Sequence, residues 1–339
     1  MNDEFYMSHA AELARRALGE TTPNPIVGAV IVRNGEIIGE GWHHKAGCPH
    51  AEIEAIRSAN GANLEGATIY VTLEPCSSWG RTPPCTDAIL REKFARVVIG
   101  CLDPNPKHAG RAVELLRSHG IEVTPCVLEE ECRKLNEAFF KWVTTGKPFV
   151  LLKLAMTLDG RIATQSGNSK WISGPDARQR VQQLRRWADA VMVGAGTFFA
   201  DNPKLTVRDD AGNTLKTPAR FVLSSRKLDL PAGWEQAALK NETEWETFLT
   251  GLGKRPFVSL LLEGGGELAA SALNAGVVDK IEFHYAPKIL GGRNSRPGVG
   301  GPDPLTLPEA FQIENMTVQQ LGADFAVTGY PRKPEERRF

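Results

Sequence analysis

His50 and Glu52, in the string P-H-A-E, and Cys76 and Cys85, in E-P-C-S-S-W-G-R-T-P-P-C, are the residues of this 339-residue chain best suited to chemistry. One imidazole and two thiolates make a three-ligand zinc set, which leaves a fourth tetrahedral position open for water. Zinc lowers the pKa of such a water toward neutrality, so a nucleophile becomes available without a strong base. Two residues beyond the histidine, the Glu52 carboxylate can lie beside the metal without binding it, take the water proton and pass it to a departing amine. The grouping points to hydrolytic deamination, with His50, Cys76 and Cys85 as metal ligands and Glu52 as the proton carrier. H-x-E and P-C also occur where they serve structure alone, and the short C-x-x-C form of the deaminase signature is not met, because eight residues separate these cysteines.

The elements that must position these groups are legible around them. Pro49 opens a helix over 51–59, residues 67–73 read as a buried strand running into Pro75-Cys76, and Cys85 follows Pro83-Pro84 at the start of an apolar-periodic helix over 87–93. A helix N-terminus favours a thiolate. Around them the pattern predicts a helix over 4–18, strands over 27–33 and 37–41 joined at Asn34-Gly35, a strand over 96–101, a helix over 111–119 and a strand over 122–126. Alternating strands and helices predict a three-layer α/β domain. A helix over 129–144 then meets Gly146-Lys147-Pro148, and an apolar strand over 149–155 follows at once. That change of pattern places a domain boundary near 146, dividing 1–146 from 147–339.

The loop P-C-S-x-x-G-R-T-P-P-C, together with T-P-N-P-x-V-G-A-V from Thr22 to Val30, resembles the riboflavin-biosynthesis deaminases. In the second half, K-L-A-M-T-L-D-G-R-I-A over 153–163, W-I-S-G over 171–174 and A-D-N-P-K-L-T-V-R over 200–208 are similar to the reductase domain of the same bifunctional bacterial family. The similarity runs from the first helix to about Gly301 and is tighter in the first half. It implies a cytidine-deaminase-like α/β domain followed by a dihydrofolate-reductase-like mixed-sheet α/β domain. It also implies the reactions: zinc-dependent deamination of 2,5-diamino-6-(5-phosphoribosylamino)pyrimidin-4(3H)-one to 5-amino-6-(5-phosphoribosylamino)uracil, then NADPH-dependent reduction of the ribosyl to the ribityl chain.

Site residues follow by position. The resemblance puts Asn24 and His43 in the pyrimidine pocket, with Arg81, Asp103 and Asn105 on loops at the strand ends. No G-x-G-x-x-G follows a strand as a Rossmann fingerprint requires, so the glycine-rich turns over 191–197 and 260–267, each after an apolar run, are the candidate pyrophosphate sites. By position Ala155, Trp171, Thr197, Asp201 and the run Gly265, Gly266, Glu267, Leu268, Ala269, Ala270 and Ser271 would meet NADPH. Ser169, Arg185, Leu205, Arg208 and Glu263 would meet the substrate, the two arginines through its phosphate. For His43 and Arg185 the plainer alternative is a surface position. Lys153 and Asp201 are the candidates for polarising the reacting carbon or moving a proton. Two departures stand out: Ser78 replaces a histidine common in relatives, and 227–256 shows little hydrophobic alternation where relatives commonly have another strand and helix. The second departure predicts a shortened reductase domain and admits a reading in which only the deaminase is active.

Composition fits a two-domain enzyme: 42% hydrophobic, 24% charged, with 40 basic and 40 acidic residues. A net charge of +0 argues against nucleic-acid or membrane-surface binding by bulk charge. No stretch is apolar enough to span a bilayer, and residues 1–20 read as an amphipathic helix, not a signal peptide. Six cysteines without scaffold-like spacing fit reduced thiols in the cytoplasm. The resemblance implies a small-molecule phosphoribosyl pyrimidine substrate and a homo-oligomer, dimer or tetramer. Two other functions are weighed. A deaminase for another nucleotide or RNA would need a stacking surface or basic tract, and none is evident. A zinc-stabilised structural protein would need a fourth ligand, for which Cys48 is the nearby candidate.

Overall fold

The computed structural model describes residues 2–79, 83–105 and 108–332, which divide along the chain into two compact units, the first ending at Gly146 and the second beginning at Lys147. The first unit begins with α1 (Asp3–Arg15), β1 (Gly28–Arg33), β2 (Glu36–Trp42) and α2 (Ala51–Ser58). It continues through β3 (Thr68–Leu73), α3 (Cys85–Arg91), β4 (Arg96–Cys101), α4 (Arg111–Ser118) and β5 (Glu122–Thr124), and ends in α5 (Glu129–Leu135) and α6 (Glu137–Thr145). Its sheet has the order β2-β1-β3-β4-β5, with β2-β1-β3 antiparallel and β3-β4-β5 parallel.

Strand alternation divides the apolar residues between two faces. Ala29, Ile31, Ile69, Val71, Val97 and Ile99 pack against α2, α3 and α4, whereas Val30, Val32, Tyr70 and Val98 pack against α1, α5 and α6. The result is the three-layer arrangement the strand and helix pattern predicts. The helix expected over 129–144 is two helices, because Asn136 leaves helical geometry (φ −122°, ψ 21°). Its amide brackets Ile26, accepting from the Ile26 N–H at 2.9 Å and donating to the Ile26 carbonyl at 2.8 Å. Gly146, in the left-handed region at φ 71°, ends α6 and the unit.

The second unit opens with β6 (Phe149–Thr157), β7 (Arg161–Ala163), α7 (Pro175–Trp187), β8 (Ala190–Gly194) and α8 (Ala195–Asp201). Next come β9 (Val207–Arg208), β10 (Thr214–Lys216), β11 (Ala219–Leu223), β12 (Trp234–Ala237) and α9 (Glu242–Lys254). It closes with β13 (Ser259–Glu263), α10 (Gly266–Asn274), β14 (Lys280–Ala286), β15 (Arg296–Pro297), β16 (Gln312–Leu321) and β17 (Asp324–Arg332). The main sheet has the order β12-β11-β8-β13-β6-β14-β17-β16, parallel from β12 to β14 and antiparallel through β17 to β16. Helices α9 and α10 cover one face through Trp245, Leu249, Leu268 and Leu273. On the other face, Leu184 of α7 and Phe198 of α8 pack on Leu151, Val193 and Leu261.

The segment over 227–256, where little alternation was legible, contains both a strand, β12, and a helix, α9. Only one face of α9 is apolar: Trp245, Leu249 and Leu252 recur at helical spacing and are buried, and Asn241 caps the helix by accepting from the Glu244 N–H at 3.0 Å. The strand β12 is a short edge strand, which needs no alternating pattern to pair with β11. Among the described residues no helix is long and apolar enough to cross a membrane.

Candidate active sites

In the first unit three neighbouring elements bring the expected ligands together. His50 is the N-cap residue of α2, Cys76 follows the end of β3, and Cys85 is the first residue of α3. The His50 Nδ1 lies 3.6 Å from the Cys76 Sγ and 3.3 Å from the Cys85 Sγ. Donor atoms of a tetrahedral zinc site sit about 3.6 Å apart, given metal–ligand bonds of about 2.1–2.3 Å. The three donor atoms lie within 4.8 Å of one another, and among the described residues this is the single such group. The donor set therefore fits zinc. Cys48 does not belong to the group, so the described residues provide no fourth protein ligand for a closed structural site.

Cys76 also accepts the Cys85 backbone N–H at 3.2 Å. The Cys85 thiol, with His50 and this N–H, pulls the Cys76 thiol down to about 4, whereas Cys85 is pushed up by the negative sulfur beside it. A dication bound there would favour the thiolate form of both sulfurs. Glu52, 3% exposed, lies one position further into α2 than Ala51, which follows the ligand His50. Burial, and then the charge on Cys76, push its carboxyl above the ordinary glutamate range. A raised carboxyl beside the ligands is suited to carrying a proton between water and a leaving group.

His43 is 3% exposed, which overturns the surface alternative. Its Nδ1 lies 2.9 Å from the Pro49 carbonyl, an acceptor, so Nδ1 carries the proton and Nε2 accepts from the Asn24 amide at 3.1 Å. Burial favours this neutral form. With its nitrogen so engaged, Asn24 has its amide oxygen available to a bound amine. The His43 ring also packs edge-on against His50, with centroids 5.4 Å apart. His44 and Lys45 are exposed. Asp103 is half-buried, accepts from the Asn105 N–H at 2.8 Å, and is pushed up by burial. Ser78 and Trp79 are exposed, and Arg81 lies outside the described residues.

Sequence reasoning missed Glu74. Its buried carboxylate accepts three backbone N–H groups, from Asp103 at 3.1 Å, Gly110 at 3.0 Å and Ala112 at 3.0 Å. It thereby ties the loop after β4, and the start of α4, to the strand end that carries Cys76. Its place directly before Pro75-Cys76 was the available signal, because a carboxylate without a basic neighbour in sequence often finds backbone donors.

In the second unit a cavity of about 1760 Å³ opens at the ends of β6, β8 and β13. Lys153, Ala155, Ser169, Trp171, Arg185, Thr197, Asp201, Leu205, Arg208 and Glu263 all line it, as do Gly265, Gly266, Glu267, Leu268 and Ser271. Ala269 and Ala270 do not: Ala269 packs in the core and Ala270 is 4% exposed, because α10 turns successive side chains away from the cavity. Gly264 and Gly265 adopt φ values of 70° and 88°, and a Cβ on Gly266 would come within 2.8 Å of the Pro297 carbonyl. These glycines let Thr197 and the bare start of α10 approach a ligand, a cradle that fits a cofactor pyrophosphate.

The chemistry-bearing side chains are unequally free. Lys153 is 8% exposed and forms no hydrogen bond or ion pair among the described residues. Burial pushes it below the ordinary lysine range. Arg185 is no surface charge: its Nε and Nη2 donate to both Glu263 oxygens at 2.7 and 2.8 Å, and the side chains are 13% and 11% exposed. Arg208 is exposed, with only its Nε engaged, at 3.2 Å from the Thr206 hydroxyl, so it is the better placed of the two for a phosphate. Asp201 ends α8 and lies 3.7 Å from the Lys170 ammonium. In K-L-A-M-T-L-D-G, Asp159 anchors a loop, accepting from the Leu290 and Gly291 N–H groups at 3.0 and 2.7 Å.

Comparison with known proteins agrees with this division. Residues 1–101 match the cytidine and deoxycytidylate deaminase zinc-binding region, and residues 148–327 match the RibD C-terminal domain. A zinc deaminase unit joined to a reductase-type unit is the class these matches and sites define. The riboflavin biosynthesis protein RibD of Actinobacillus pleuropneumoniae is 42% identical, over 96% of this chain and 94% of the relative. The structure of Acinetobacter baumannii RibD superposes with a TM-score of 0.86 at 37% identity, covering 98% of this chain and 99% of that one. That of the Thermotoga maritima diaminohydroxyphosphoribosylaminopyrimidine deaminase/5-amino-6-(5-phosphoribosylamino)uracil reductase gives 0.85 at 39% identity, covering 97% and 99%. The chain belongs to the RibD family.

Proposed function

We propose that the chain is a bifunctional enzyme of riboflavin biosynthesis. Its residues 1–146 deaminate 2,5-diamino-6-(5-phosphoribosylamino)pyrimidin-4(3H)-one, and its residues from 147 onward reduce the ribosyl chain of the resulting uracil to ribityl. The observation that carries the reading is the convergence of His50, Cys76 and Cys85 beside the buried Glu52, in a chain whose second unit presents the buried Lys153 to a glycine-lined cavity. When bound, zinc supplies activated water and NADPH supplies hydride. The protein supplies the rest. Asn24, oriented by His43, holds the pyrimidine, while Glu52 takes a proton from the attacking water and returns it as ammonia leaves. In the second unit Thr197 and the start of α10 seat the cofactor phosphates, Arg208 takes the substrate phosphate, and the Lys153 ammonium donates to the atom bonded to C1′ as that carbon receives hydride. Asp201 is placed at the cavity rim to assist.

The six free cysteines support a reducing, cytoplasmic setting, and the exposed edge strand β16 supports a homo-oligomer. Readings as a nucleic-acid deaminase, or as a deaminase with a dead reductase, lose ground to the intact cavity and to full-length relatives named for the riboflavin pathway. A Glu52→Gln variant tests the assignment: it should retain zinc and NADPH-dependent reduction of supplied uracil intermediate, but lose amine release by a hundredfold or more. Deamination near the wild-type rate in that variant would overturn the role of Glu52.

A further inference from the structure

Lys153 is flanked in the sheet by two carboxylates, one on each neighbouring strand. Glu263 of β13 and Glu282 of β14 are both its register partners, and strand alternation puts all three side chains on the face beneath α7. Each carboxylate is clamped by its own arginine from α7. Arg185 holds Glu263, while Arg180 donates Nε and Nη2 to the two Glu282 oxygens, both at 2.9 Å. His284, fully buried on β14, lies with its Nε2 2.9 Å from Glu282 Oε1. The His284 Nε2–H donates to that carboxylate, its buried Nδ1 has no partner among the described residues, and burial favours the neutral ring.

The charges therefore do not balance. Immediately around Lys153, three cations (Lys153, Arg185 and the partly exposed Arg180) face two carboxylates, an excess of one positive charge; the other buried carboxylate on this face, Asp324, lies further along β17, where it accepts from the Gly174 N–H. The excess falls on Lys153, whose ammonium has no partner among the described residues, whereas both arginines are paired. Glu282 and Arg180 do not line the cavity.

We propose that Glu282, held by Arg180 and His284, is a positioning residue for the reductase reaction: it is the second counter-charge that keeps the buried Lys153 an ammonium aimed into the cavity. This deepens the reading of the second unit as a reductase and rests on it. Burial disfavours the Lys153 ammonium, Glu263 and Glu282 favour it, and Arg185 opposes it from α7. His284 is the remaining titratable group packed beside Glu282, and Asp201 and Arg208 lie on the cavity wall. Glu282 keeps its charge because the His284 and Arg180 hydrogen bonds outweigh its own burial and hold it at about 2.

Charge arithmetic gives an ordering that mere structural support would not. Glu282→Gln leaves three cations facing one carboxylate, Arg180→Met leaves two facing two, and the double variant leaves two facing one, the wild-type excess. The experiment is a carbon-13 titration of the full chain labelled at lysine Cε, without metal or nucleotide, with Lys153 assigned by its loss in Lys153→Arg. The expected midpoint of Lys153 falls by about one pH unit in Glu282→Gln, rises in Arg180→Met, and returns toward wild type in the double variant. The alkaline limb of NADPH-dependent reduction should move in the same order. An unchanged Lys153 midpoint in both single variants overturns the proposal. Should Glu282→Gln not fold, Arg180→Met decides alone: a raised midpoint supports the proposal and an unchanged one defeats it. Wild-type protein that never reduces the substrate would instead refute the reductase reading, a separate outcome.

Discussion

Glu74 offers a sharp test of how the deaminase loop is held. The change Glu74→Gln preserves shape while replacing one acceptor oxygen with an NH2 donor. In the native chain Oε2 accepts from Asp103 and Gly110, and Oε1 accepts from Ala112, which is fully buried. The less costly orientation of the new amide keeps its oxygen at the two-bond position and turns its NH2 toward the Ala112 N–H. One charge-assisted bond is then lost, a buried donor is stranded, and the other two bonds weaken to neutral strength. Together these cost about 2–4 kcal/mol. At about 1.4 kcal/mol per tenfold, that is roughly a 30- to 1000-fold rise in opening of this loop. Hydrogen exchange at the Asp103, Gly110 and Ala112 amides reads the opening directly. Deamination should fall while zinc content stays at one ion per chain, because His50, Cys76 and Cys85 are untouched. Exchange within threefold of wild type at all three amides would refute the claim that Glu74 carries this loop.

Three further outcomes are expected. Arg185→Ala strands Glu263 as a buried carboxylate, which should destabilise the second unit by about 3–5 kcal/mol in urea unfolding and abolish reduction while deamination persists. Trp245→Ala removes a fully buried ring and its hydrogen bond to the Ser271 hydroxyl on α10; it should cost about 3–5 kcal/mol and weaken NADPH binding in a titration by fluorescence. Glu282 sits at about 2 in the folded chain against 4.5 ordinarily, so its contribution is present above 4.5 and is lost as pH falls toward about 2. Acid unfolding of the second unit should lose about 3 kcal/mol across that window, and the loss should vanish in Glu282→Gln.

The zinc group was legible in the sequence because its ligands sit at element ends, where Pro49, Pro75 and Pro84 mark the boundaries. Strands such as 28–33 and 96–101 were equally plain from their apolar runs. What escaped notice depends on distance in the chain. Asn136 breaks a helix because Ile26, 110 residues away, supplies its partners. Glu282, His284 and Arg180 carry no motif and meet only when β14 pairs with β6 beneath α7. Helix α9 was overlooked because alternation was sought where the apolar spacing of Trp245, Leu249 and Leu252 is helical. Position alone also placed Ala269 and Ala270 in the cofactor site, although a helix cannot turn seven consecutive side chains to one ligand.

The most direct measurement is the mass of the products formed from the diaminopyrimidine ribosyl phosphate by the zinc-loaded chain, with and without NADPH. Amine-to-oxygen exchange alone, raising the mass by about one dalton, followed by a gain of two hydrogens only when NADPH is present, is the predicted result. Exchange without reduction would contradict the reductase assignment of the second unit, and no exchange would contradict the deaminase assignment on which the rest depends.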